Sequence, residues 1–291
     1  MNLDSRFSYQ FTERFSIIHI EPGCYNYKIV VKDVVKAAQT VLNCADADEK
    51  ANLTEKYVGD WRNGRLLLPD PDKEYDIPDC PARPSYVKMV PMSKVKQGSQ
   101  KALMHSLAHA ESYAIDLMWD IVARFTKYGM PREFFDDWIQ IAGDEAKHYF
   151  KWQEKLKRFG SFYGDLAGHN SLWESAQETS DDLMKRLAIV HMVHEARGLD
   201  VYEGILQKLK RCRDPESMEI LKQNHAEEIT HVAAGVRWFK YLCAKKNVDP
   251  VQQFHEIVKN KFHGSLKPPF NKASRERADL TEDFYIPLSS S

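Results

Sequence analysis

Two short stretches of this chain carry the same chemical pattern. AGDEAKHYFKW sets Glu145 and His148 three residues apart, and NHAEEITHVAAGVRW does the same with Glu228 and His231. On a helix, residues i and i+3 share a face, and both stretches sit in runs with helical apolar spacing. A further acid precedes each pair, Asp144 in one and Glu227 in the other. A fold that turns two such pairs inward must be helical and must neutralise them. Glu-x-x-His on each of two helices, with one inward Glu from each of two others, is the ligand set of a di-iron or di-manganese carboxylate centre in a four-helix bundle.

Both lone glutamates are present, at matched distances. Glu111 lies in HSLAHAESYAIDLMWD and Glu195 in RLAIVHMVHEARGLDVYEG, 34 residues before Glu145 and 33 before Glu228 respectively. The chain thus reads as a helix with Glu and a helix with Glu-x-x-His, then the same again, an internal repeat carried by ligand spacing. Glu203, two turns beyond Glu195, competes for the fourth place, but the spacing favours Glu195.

Taken singly, Glu145 or Glu228 reads as a solvated helix-surface carboxylate. Four carboxylates at one level of an apolar core would repel one another and carry a burial cost of several kcal/mol each. Two divalent cations balance four carboxylates and two neutral imidazoles. Hard oxygen with imidazole nitrogen suits two Fe²⁺, with Mn²⁺ as the alternative and zinc also compatible with the ligands. Asp144 and Glu227 are expected to accept the outer ring N–H of a ligating histidine and so fix its tautomer. His191 and His225 stand one turn before Glu195 and Glu228 and face the ligand side. Tyr202, two turns past Glu195, is a candidate redox tyrosine, although a core role is the commoner one for such a residue.

Around this centre the expected fold is all-α. FSIIHI and YKIVV flank a Pro22-Gly23 turn and suggest a short hairpin over residues 7–32. Helices follow from Val31 to Leu42 and, capped by Asp46 or Asp48, to about Asp60. Six prolines between residues 64 and 93 forbid regular helix there. That segment reads as an arm wrapped on the surface, burying Leu66, Leu67, Leu68, Tyr86, Val87 and Met89. Four long helices come next: Gln100 to Lys127, Pro131 to about Gly160, one beginning after Thr179, and one after the Asp214-Pro215 turn. Short, long and short connections describe a four-helix bundle with one long crossover, with a short helix near Trp173 in the crossover. A helix to about Phe262 and a polar, mobile tail from Pro268 complete the chain. The expected division is an N-terminal extension with the arm over 1–97, the bundle over 98–246, and a C-terminal helix and tail over 247–291.

Composition excludes several classes. A formal charge of −1 over 291 residues gives no global attraction to nucleic acid or an acidic membrane. Five cysteines, at 24, 44, 80, 212 and 243, form no Cys-x-x-Cys pair and argue against a disulfide framework. The N-terminus lacks the apolar core of a secretory signal, and no run reaches the roughly 18 apolar residues of a membrane span. A cytoplasmic protein is expected. One local exception to the even charge is basic: Lys151, Lys155, Lys157 and Arg158 end one long helix, and Lys208, Lys210, Arg211 and Arg213 end the next. The crossover places these ends together, where they serve the helix C-termini or form a patch for RNA or a phosphate-bearing substrate.

The stretches AHAESYAIDL, DEAKHYF, YGDLAGHNSLWE, EARGLDVYEG and EEITHVAAGVRWF, with the arm CPARPSYVKMVP, resemble the ferritin-like di-iron carboxylate superfamily. More closely they resemble ferritin-like proteins known only as a domain of unknown function. The resemblance covers about residues 60 to 240 and implies a ferritin-like fold with metal ligands at Glu111, Glu145, His148, Glu195, Glu228 and His231. It supplies no reaction. The leading expectation is a non-haem di-iron oxidase or oxygenase that uses O₂ and a reductase to hydroxylate or desaturate a substrate. A tRNA base is one such substrate by analogy with tRNA-hydroxylating di-iron monooxygenases. Iron handling by a ferroxidase and a metal-stabilised structural protein are the alternatives.

Overall fold

In the computed structural model, which describes residues 33–289, the periodic runs fold as helices, and the described residues form isolated β-bridges but no strand. The hairpin expected over residues 7–32 lies outside the described residues. Helix α1 (Val34–Leu42) starts where the Asp33 carboxylate accepts the Val35 N–H. Helix α2 (Ala47–Arg62) is capped by Asp46, whose carboxylate accepts from Glu49.

The Pro-rich arm runs between α1, α2 and the helices that follow, but not as its apolar residues suggest. Leu66 and Val87 are buried, while Leu67, Leu68, Tyr86 and Met89 stay exposed. Its attachment is polar. The Ala82 N–H donates to Leu42, the Gly168 N–H to Lys88, and Lys50 and Trp173 donate to the arm's Ala82 and Asp79 carbonyls. Arg83 reaches inward to Asp116, Ser112 and Tyr163, and Lys50 pairs with the same buried Asp116. An extended segment without partners in a sheet must satisfy its backbone elsewhere, and here the helices supply those partners.

Helix α3 (Gln100–Arg124) opens on the Ser99 cap, and α4 (Arg132–Arg158) begins just after Pro131, which stands at the cap rather than inside the first turn. The crossover carries α5 (Ser171–Glu178). A short α6 (Leu183–Arg186) then continues through a π-helical segment, Leu187–His194, directly into α7 (Glu195–Arg211). Helix α8 (Pro215–Lys246) follows the Asp214 cap, and α9 (Pro250–Lys261) packs on it. α3 lies along α4, α7 along α8, and α4 meets α8, so the two hairpins join across their second helices. Trp119, Trp138, Trp152, Tyr149, Phe134 and Phe239 are fully buried, each worth about 1.5–3 kcal/mol of apolar burial.

The π-helical segment is invisible to a 3.6-residue pattern. Its bonds run one residue further than those of an α-helix, so the stripe Ala188, His191, Glu195 slips at the point where it reaches the ligand. Gly235 of α8 lies against this segment, and a Cβ there would collide with the His191 carbonyl oxygen. The two backbones meet directly.

The tail also departs from expectation. Helices α10 (Lys272–Arg277) and α11 (Glu282–Tyr285) fold onto the body, burying Leu280, Phe284 and Tyr285. Arg275, itself buried, forms a bidentate ion pair with Asp200 of α7 at 2.9 and 2.7 Å. Its polar composition concealed a few well-placed aromatic anchors and one charge.

Candidate metal centre

The six residues singled out by their spacing come from four helices: Glu111 from α3, Glu145 and His148 from α4, Glu195 from the first residue of α7, and Glu228 and His231 from α8. His148 Nδ1 lies 3.5 Å from Glu145 Oε2 and 3.4 Å from Glu228 Oε1. His231 Nδ1 lies 2.9 Å from Glu145 Oε1 and 3.4 Å from Glu228 Oε2. Each of the two carboxylates therefore shows one oxygen to each histidine, which places Glu145 and Glu228 between two half-sites. Donor atoms of Glu111, Glu145, His148 and Glu228 all fall within 4.8 Å of one another. Glu195 stands by the other half, close enough to feel the charges of Glu228, Glu145 and His231.

Burial and mutual repulsion show in the ionisation of these groups. Burial, and then the Glu145 charge, push the Glu111 carboxyl well above the usual range. Burial and the Glu228 charge do the same to Glu195. Burial also opposes the Glu228 charge, but the two histidines facing it prevail and hold its carboxyl far below normal. Both imidazoles are pushed up, burial notwithstanding, with Glu145 foremost among the groups responsible.

The outer ring nitrogens meet two more acids, and the connections cross. His148 Nε2, on α4, is 2.6 Å from Glu227 Oε2 on α8. His231 Nε2, on α8, is 3.8 Å from Asp144 Oδ2 on α4. Asp144 is anchored by Gln140 and Lys147 at 3.0 and 2.9 Å. Burial works against its charge, yet His231 and these two neighbours draw its carboxyl well below the usual value. Trp152 Nε1 donates to Glu111 Oε1 at 3.3 Å. That contact was legible in principle, because Trp152 lies one turn beyond His148 on the same face.

The donor set is one that could hold a metal ion. Both oxygens of Glu145, His148 Nδ1 and both ring nitrogens of His231 are buried without a hydrogen-bond partner. Buried polar atoms are nearly always satisfied, so unpartnered nitrogen and oxygen atoms converging from three side chains mark a place for a group that they can bind. Hard carboxylate oxygen with imidazole nitrogen suits Fe²⁺ or Mn²⁺.

The site is closed on one side and open on the other. His148 and His231 are fully buried and Glu145 nearly so, whereas Glu111 and Glu195 are half-buried. Those two, with Glu145 and Glu228, face a cavity of about 360 Å³ whose apolar walls include Ala114, Leu117, Val190 and Val201. Access is from the α3 and α7 side.

The remaining candidates lie further out. His191 packs at a tilt against Trp138 with ring centres 4.3 Å apart, and neither of its nitrogens has a partner. The π-helical segment holds it in that layer instead of among the ligands. Tyr202 stacks on His225 at 3.9 Å, and both line the cavity. His225 also meets Ser274 Oγ at 3.0 Å. Glu203 is exposed. His194, which the spacing did not single out, lines the cavity and bonds Ser175 Oγ at 2.9 Å; only the π-helical slip brings it there. At the basic helix ends, Lys155 and Arg158 are taken up by Asp214 and Glu216, and Lys151 by Asn224.

Comparison with known proteins adds a family but no chemistry. The DUF455 family, described as proteins of unknown function, matches residues 43–286. A Haemophilus influenzae protein described as uncharacterized is 31% identical over 257 residues, covering 84% of this chain and 89% of that protein. No solved structure matches. Among the described residues no helix is long and apolar enough to cross a membrane.

Proposed function

We propose that this chain, which belongs to the DUF455 family, is a ferritin-like dinuclear metalloenzyme, a non-haem di-iron oxidase or oxygenase. The observation that carries the reading is the convergence of buried, unpartnered donor atoms of Glu145, His148 and His231 beside the carboxylates of Glu111 and Glu228. Two bound iron ions, or manganese in their place, would supply the electrons for reducing O₂ and the oxidising power for attack on a substrate.

The protein's own contribution follows from its geometry. Glu111, Glu145, His148, Glu195, Glu228 and His231 would hold the ions, with Glu145 and Glu228 the two carboxylates that each face both histidines. Glu227 accepts the outer N–H of His148 and leaves the Nδ1 lone pair directed inward; Asp144 faces the outer nitrogen of His231 from 3.8 Å, as a charge and not as a hydrogen-bond partner. The apolar cavity against Glu111 and Glu195 excludes water and holds a substrate C–H bond beside the centre. In a hydroxylation one oxygen atom of O₂ is inserted into the C–H bond, giving C–O–H. Two electrons from a reductase and two protons convert the other atom to water.

Anaerobic loading with Fe²⁺ tests the reading. Two irons per chain in the wild type, and a clear loss in Glu228→Ala, are expected, followed by O₂ uptake that depends on a bound organic substrate. An iron-free wild type overturns it. O₂ uptake sustained by iron alone would assign the site to iron handling.

A further inference from the structure

A second cavity, of about 650 Å³, adjoins the one at the centre and shares Met92, Leu107, His169, Val201 and Ile205 with it. Together they form a groove between α3 and α7 that ends against Glu111 and Glu195. Apolar residues dominate its inner part, and Lys96, Lys208 and Arg211 stand at its outer end. Among the described residues, Lys96 and Lys208 enter no ion pair, and Arg211 donates only to the Gln207 carbonyl. The neighbouring acids are engaged elsewhere, Asp214 by Lys155, Gln100 and Ser217, and Glu216 by Lys155 and Arg158. Three uncompensated cations thus face one end of an apolar groove and carboxylates close the other.

We propose that the groove binds a single-chain amphiphile with an anionic end. Its head lies on Lys96, Lys208 and Arg211, and its chain follows α3 and α7 inward until the far end meets Glu111 and Glu195. From Glu195 to Lys208 the helix rises about 20 Å. An extended chain advances roughly 1.2 Å per bond, so the groove takes a chain of a dozen bonds or more. A fatty carboxylate and an alkyl or isoprenoid phosphate share this chemistry. RNA binding would need cations spread along a backbone track, whereas these surround a single end of a groove with apolar walls. That the chain is the molecule oxidised rests on the di-metal reading; its binding does not.

Calorimetric titration of the metal-free full chain, below the micelle concentration, separates the possibilities. Dodecyl phosphate and dodecanoate are expected to bind one per chain, about tenfold or more tighter than dodecanol, since hydrogen bonds to a charged group are stronger than those to a neutral one. Whichever of the two anions binds more tightly names the head group. The double variant Lys208→Ala, Arg211→Ala should remove that preference and leave dodecanol binding in place, and Val201→Trp should block all three chains. Equal affinity for dodecanol and the anions, an unchanged double variant, or tRNA binding that needs Lys208 and Arg211 while the amphiphiles fail to bind would overturn the proposal. Because no metal is present, its outcome is independent of the iron stoichiometry.

Discussion

His148 Nε2, on α4, is braced at 2.6 Å by Glu227 of α8, and the acid beside its own ligand pair, Asp144, faces the histidine of the other helix. A bond from the outer nitrogen fixes which ring nitrogen carries its lone pair inward. Glu227→Ala is therefore expected to weaken Fe²⁺ affinity by about 10–100-fold with the helical fold intact, as read by competition with a chromophoric chelator. Unchanged affinity would remove the brace from the account.

Glu111 and Glu195 put a cost on the metal-free chain. Their folded carboxyls lie well above the ordinary value of 4.5, so the native state holds these protons more tightly than the unfolded state does. Stability is then lost as pH rises from 4.5 through the folded values, and it returns on acidification. Glu111→Gln and Glu195→Gln should each raise the thermal midpoint of the metal-free protein by a few degrees at pH 7, with no gain near pH 4.5, while weakening metal binding. A fall in the midpoint at pH 7 would contradict this.

His105 gives the opposite dependence. Burial holds its ring down at about 4, and the Gly164 N–H donates to its Nε2 at 2.9 Å, which requires that nitrogen unprotonated. Unfolded, the ring titrates near the ordinary 6.5. Stability is thus complete above that pH and declines as pH falls toward 4, by at most about 3 kcal/mol from this residue. Urea titrations of wild type and His105→Gln between pH 7 and 4 should show a shallower decline in the variant.

Gly235 permits the close approach of α8 to the π-helical segment. Gly235→Ala is expected to destabilise the chain by about 1–3 kcal/mol through overpacking. It should also lower metal affinity, because the displaced segment leads directly into Glu195. Denaturation and chelator competition on the same variant check both effects.

Much of this arrangement was legible before any coordinates. The Glu-x-x-His spacing and the lone glutamates pick out side chains that the helices bring near one another, because side chains must recur with the helical period to face a common centre. Three things were not legible. The π-helical slip leaves no trace in a 3.6-residue pattern, so His191 was expected near the ligands and His194 was overlooked. The arm's Leu67, Leu68, Tyr86 and Met89 looked like anchors, but backbone hydrogen bonds and Arg83 hold that segment instead. The tail looked mobile because its composition is polar, whereas the Arg275 to Asp200 pair and a few aromatic residues fasten it. Attachment by individual polar contacts has no periodicity from which it could be read.

The Glu227 brace also bears on the order in which the molecule is made. The two hairpins look like duplicates, each with a lone glutamate and a Glu-x-x-His pair, yet the second lends Glu227 to the first one's histidine, and Glu145 and Glu228 each face both histidines across the middle. Neither half is self-sufficient. During synthesis the first hairpin emerges with its histidine unbraced, and the residues that finish the pocket, on α8, arrive some eighty positions later. On the proposed metal reading, a half-made chain therefore offers no complete pocket, and capture waits until both hairpins have docked.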